Sequence, residues 1–165
     1  MREWIMAAAM LALAGCSGGG GNAANNTSAE ETPVFLQGGQ WTLERKTTGY
    51  NTPSVTADEY AAKVGKSKSE DICLKVDDQG RPDANTLAGD EGKECTYKEA
   101  FVRNKRLVAT LSCKAGSGAA EIVVEGNFTP DSMTFGTSMT RTGSDGAIDL
   151  RTTHDLTGKR TGDCS

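Results

Sequence analysis

Apolar and polar residues alternate with a period of two through much of the second half of the chain, as expected of strands with one covered face. A turn at Thr129-Pro130-Asp131-Ser132 pairs Phe128 with Met133. It thereby sets Gly126 opposite Phe135 and Ile122 opposite Met139. The large apolar side chains of this hairpin then share a face, and Phe135 covers the strand glycine. A further turn at 142–146 leads into Ile148, Leu150, Thr152, His154 and Leu156, again on one face. Upstream, placing Cys95 opposite Cys113 pairs 97 with 111, 99 with 109 and 101 with 107, with a turn at Arg103-Asn104-Lys105. The covered face expected from that register is Cys95, Tyr97, Phe101, Leu107, Ala109, Leu111 and Cys113.

The first half is less regular. Residues 40–48 alternate, with Trp41, Leu43, Arg45 and Thr47 on one face, and read as the first strand. Thr56-Ala57-Asp58-Glu59 has the form of a capping box, and Tyr60, Ala61 and Val64 follow at helical spacing before Gly65. A short helix is expected at 57–64. Residues 71–76 read as a strand carrying Cys73, and 77–92 as a polar loop. The fold expected is mostly β: an antiparallel meander in a domain spanning 34–165. It is either a curved open sheet packed on the short helix or a small closed barrel.

None of this periodicity occurs before residue 34. Arg2 precedes an apolar run from Trp4 to Ala14, about 11 residues, the length of an export-signal core and too short to span a bilayer. Leu13-Ala14-Gly15-Cys16 follows and resembles the bacterial lipobox. The expectation is a signal peptide at 1–15, cleaved so that Cys16 becomes the first residue and carries lipid. Several acyl chains on one residue hold a membrane far more firmly than one, which makes a spanning helix unnecessary. Ser17 after the cysteine, rather than aspartate, points to the periplasmic side of an outer membrane. Residues 16–33 are Gly-, Asn- and Ser-rich and read as a flexible tether with an r.m.s. length of roughly 20–25 Å. The glycine run has no following Lys-Ser/Thr, so it is not a phosphate loop.

Composition and charge narrow the partners. The formal charge is −4, which together with export disfavours nucleic acid. Of five cysteines, Cys16 is assigned to lipid, leaving Cys73, Cys95, Cys113 and Cys164 in an oxidising compartment. Three pairings are possible. The hairpin register selects Cys95–Cys113, so Cys73 is left to close on Cys164. No pair has the spacing of a zinc knuckle or a redox motif, and neither metal nor cofactor is expected.

Several of these residues together suggest a family. Trp41 follows Gly38-Gly39-Gln40, Cys95-Thr96-Tyr97 opens a hairpin closing at Cys113, and the chain finishes Gly158-Lys159-Arg160-Thr161-Gly162-Asp163-Cys164. Over about residues 37–165 the chain resembles the uncharacterised proteobacterial lipoproteins grouped as domain of unknown function 3617. The resemblance implies the fold, export and disulfides. That family has no established activity, so it implies no chemistry.

Candidate chemistry is sparse. His154 is the sole histidine, and Asp155 beside it points to the opposite face of a strand, poorly placed to orient it. No Gly-x-Ser-x-Gly elbow is present. Asp77, Asp78, Asp83, Asp90 and Glu91 make an acidic loop, but Arg81 stands where a calcium loop needs an oxygen. Arg103, Lys105 and Arg106 form a basic hairpin tip, explained either by turn solvation or by contact with anionic head groups. Ile122, Val124, Phe128, Phe135 and Met139 either fill the core or enclose an apolar groove for an acyl chain.

The function expected is a non-enzymatic envelope lipoprotein. It would be a binding or structural module meeting an envelope protein, glycan or lipid on its concave face. The alternatives are a periplasmic enzyme inhibitor projecting the 77–92 loop, or a small hydrolase.

Overall fold

The computed structural model describes residues 33–164. The leader 1–15, Cys16 and the tether through residue 32 lie outside the described residues. Seven antiparallel strands form one sheet: β1 (Gly39–Asn51), β2 (Ser67–Leu74), β3 (Lys93–Arg103), β4 (Arg106–Ala115), β5 (Gly118–Phe128), β6 (Ser132–Thr142) and β7 (Ile148–Gly162). The spatial order is β2-β1-β7-β6-β5-β4-β3, so β2 and β3 are free edges and the sheet is open. From β3 to β7 it is a meander. β1 then pairs with β7, and β2 closes the far side.

The alternation that predicts the strands also builds the core. Trp41, Leu43, Leu107, Leu111, Ile122, Val124, Phe128, Met133, Phe135, Met139 and Leu156 are buried in one cluster on one face of the sheet. The β5–β6 register is the expected one throughout: Phe128 faces Met133, Gly126 faces Phe135 and Ile122 faces Met139. A Cβ on Gly126 would collide with the Thr134 carbonyl and stand 2.7 Å from Phe135 Cα, so this strand position accepts no side chain.

Four local expectations are corrected. β2 begins at Ser67 rather than 71, because the β1 pairing continues to Lys46 opposite Ser67. The short helix α1 (Ala57–Lys63) forms, with the Thr56 hydroxyl accepting from the Glu59 amide at 3.2 Å, but it buries no residue and the sheet does not pack on it. The covering helix is instead α2 (Ala84–Ala88), inside the segment read as a polar loop, where Ala84, Leu87 and Ala88 are buried. The fourth correction is in the β3–β4 hairpin. The pairing is Tyr97 to Leu111 as expected, but a bulge between Tyr97 and Glu99 shifts the rest by one, giving Ala100–Ala109, Phe101–Val108 and Val102–Leu107. Asn104 and Lys105 close the turn alone, both with positive φ (51° and 61°), as the favoured two-residue hairpin turn requires. Phe101 therefore points away from the core and is 69% exposed.

Residues 75–92 link the two edge strands, so they must cross the whole sheet. They do so over the apolar face, as a strap. Its first turn is held by Asp77, whose carboxylate accepts from the Gln79 and Arg81 amides and pairs with the Arg81 guanidinium at 2.6 Å. Asp83 caps α2 through the Thr86 amide. Gly89–Glu91 form one 3-10 turn before β3.

Candidate functional site

The strap is fastened by partly buried polar contacts on three strands. From β1, the Arg45 guanidinium donates to the carbonyls of Thr86 and Leu87, at 3.1 and 3.0 Å, and so caps the C-terminal end of α2. Burial lowers the Arg45 pKa against the opposing charges of Glu70, Glu91 and Asp90. From β7, the Thr152 hydroxyl donates to Glu91 at 3.0 Å, and His154 Nε2 stands 3.2 Å from the other Glu91 carboxylate oxygen. That approach is close but lies outside hydrogen-bond alignment, and neither ring nitrogen has a hydrogen-bond partner. From β3, the Tyr97 hydroxyl donates to the Pro82 carbonyl at 2.6 Å with Arg81 stacked on its ring, and burial raises the Tyr97 pKa. Burial pushes Glu91 up too, but His154, Thr152 and Arg45 outweigh it and hold the carboxyl below its ordinary range.

His154 is thus 6% exposed and sits against the strap. Asp155 points to the other face, as alternation requires. The Glu91–His154 contact joins residues far apart in the chain, and a sequence reading has no local signal for it. The identities alone, one histidine inside an apolar alternation and one acid ending a polar loop, were the available hint.

The open face of the sheet carries a trough of about 290 Å³ floored by Gly136. It is bordered by Thr48, Val123, Ser138, Thr153 and Asp155, with Glu125 beside it. A Cβ on Gly136 would meet only the Glu125 carbonyl, at 3.9 Å. The trough exists because a glycine stands in a row of outward side chains. The alternation of β6, with Phe135 and Thr137 buried on either side, is the sequence signal that turns Gly136 outward.

The other predicted site residues fall as follows. Cys95–Cys113 and Cys73–Cys164 are both disulfides, with Cα separations of 4.1 and 5.5 Å. Ile122, Val124, Phe128, Phe135 and Met139 are brought together, each 4% exposed or less, as packed core beneath the strap. Of the two readings open for these residues, filled core or apolar groove, their burial is that of a filled core, packed in one cluster with Leu36, Leu74, Ala84, Leu87 and Ala88. Within the strap Ala84, Leu87 and Ala88 are buried, while Asp77, Asp78 and Gln79 of its first turn stay exposed. The acidic residues are dispersed: Asp77 and Asp83 serve their own turns, Asp90 pairs with Lys68 at 2.6 Å, and Glu91 turns inward. Among the described residues no group of three or more His, Cys, Asp or Glu is placed to hold a metal ion. None of the described helices is long and apolar enough to cross a membrane.

A family model described as a protein of unknown function (DUF3617) matches residues 36–164. Neither the curated proteins nor the solved structures give a match. The matched stretch takes in all seven strands, the strap and both disulfides. The chain belongs to the DUF3617 family.

Proposed function

We propose that this protein is a non-catalytic binding or structural module of the bacterial envelope. It is held by lipid on Cys16 at the periplasmic side of the outer membrane, and it offers the open face of its sheet to an envelope protein, glycan or lipid. The observation that carries the reading is the division of labour between the two faces. The apolar face, with the sole histidine, is given over to holding the strap. The open face presents hydroxyls of Thr48, Ser138 and Thr153 and the carboxylates of Glu125 and Asp155 around the Gly136 trough. The accessible lining of the trough is mostly carbon, with the hydroxyls and carboxylates at its margin, which suits an apolar or sugar-ring face flanked by polar groups.

Two experiments test it. The Cys16→Ser variant should lose acylation and accumulate as unprocessed precursor; normal mature mass and membrane fractionation would sink the anchor. A photo-crosslinking residue at Ser138 in intact cells should yield a discrete adduct, and adding Gly136→Val, which fills the trough, should abolish it. An adduct indifferent to Gly136→Val would remove the trough from the account.

A further inference from the structure

The shifted register of the β3–β4 hairpin creates a surface that a regular ladder would not. With the turn closed by Asn104 and Lys105 alone, Phe101 and Arg103 project on the open face, opposite Val108 and Arg106. Phe101 is the most exposed of the large apolar residues described. Arg103, Lys105 and Arg106 are all exposed. Arg106 meets Glu125 at 3.3 Å in a solvent-exposed pair, while Arg103 and Lys105 have no ion-pair partner among the described residues.

The position of this tip matters as much as its composition. The Lys105 carbonyl accepts from the Phe128 amide at 2.8 Å, and the Pro130 carbonyl of the adjoining turn accepts from the Gln37 amide at 3.0 Å. The basic tip and the point where the chain enters the domain therefore lie at one end of the sheet. In the anchor reading Cys16 precedes that point in the chain. An anchor attached through this end would leave the tip on the anchored end of the sheet rather than the far one. α1 and the 116–117 and 143–147 turns lie at the other end.

We propose that the β3–β4 hairpin tip docks on an anionic lipid surface, with Arg103, Lys105 and Arg106 meeting head-group phosphates and Phe101 entering the head-group boundary. Charge complementarity argues for this partner: the patch is cationic on a chain of net charge −4, so the attraction is local and oriented. An exposed aromatic beside cations is the combination favoured at a membrane–water interface. The proposal takes its membrane from the lipid-anchor reading, but its chemistry can be measured without the anchor.

The unlipidated chain 33–165, whose core is closed by its own residues, should co-sediment with vesicles of mixed phosphatidylglycerol and phosphatidylcholine and not with phosphatidylcholine alone. Raised salt should release it. At about fivefold in partition per cation, the Arg103→Gln, Lys105→Gln, Arg106→Gln variant should bind roughly a hundredfold more weakly. Phe101→Ser should lose roughly tenfold. Lys63→Gln, Lys66→Gln, Lys114→Gln, at the opposite end, should bind as the parent does. Equal binding to both vesicle types, or equal loss from the two triple variants, would overturn the proposal. Failure of the anchor appears separately, as unchanged processing of Cys16→Ser in cells.

Discussion

Two glycines on neighbouring strands, Gly126 of β5 and Gly136 of β6, behave oppositely, and the difference is one of facing. Gly126 lies beneath Phe135, where any Cβ meets the Thr134 carbonyl; Gly136 faces open space. Gly126→Ala should destabilise the fold by about 1–3 kcal/mol, the usual cost of overpacking a filled core. Gly136→Ala should instead raise stability by about 0.5–1 kcal/mol, because a strand glycine is entropically costly and nothing obstructs the methyl. Urea unfolding of the two variants checks both signs. Glu91 supplies a second prediction at this scale. Its carboxyl is depressed in the folded protein, so its contribution is complete above the unfolded pKa and is lost as pH falls through the lower folded value. Glu91→Gln should cost about 1–3 kcal/mol at neutral pH by weakening the hold on Thr152 and His154. The gap between parent and variant should narrow once the pH drops below 4.5, the ordinary value. An unchanged gap at acid pH would mean that the carboxylate does not secure the strap.

At the scale of elements, the hairpins separate what a sequence can show from what it cannot. β5–β6 was legible because a Pro-Asp turn fixes its centre, and only one register puts Phe135 over Gly126. β3–β4 was legible up to Tyr97–Leu111. Beyond that a bulge at Lys98 and Glu99 added one residue to β3 and turned Phe101 outward. The signal that could have found it was Asn104, a residue tolerant of positive φ, which favours a two-residue loop over a three-residue one. α2 was missed because five residues with one leucine make no periodic pattern, although Asp83 is a capping residue three positions before Thr86. The disulfides, by contrast, followed from register and remainder. Their surroundings differ: Cys95 and Cys113 are buried, whereas Cys73 and Cys164 are exposed. Mild reduction of the native protein followed by alkylation should label Cys73 and Cys164 first, since exchange needs access to a sulfur. Early labelling of Cys95 or Cys113 would show that the strap end opens readily.

For the whole molecule, the strap settles the choice between barrel and open sheet. A closed barrel would pair β2 with β3 and leave no free edge. Here the two edges stay apart, and residues 75–92 fill the face between them. No pattern local to any strand could have revealed this, because it depends on which strands end up at the margins. The Cys73–Cys164 bond gives the arrangement a covalent property. Everything from Cys73 to Cys164, the strap and five strands included, is a single macrocycle, with β1, α1 and most of β2 as its tail. One peptide bond broken outside the inner Cys95–Cys113 loop linearises the circle without releasing a fragment, whereas one broken inside that loop leaves it closed through the second bridge. A protease cut at the exposed Asp78 or Gln79 would leave the mass changed only by one water, and the two pieces would part only when a reductant opened the bridge.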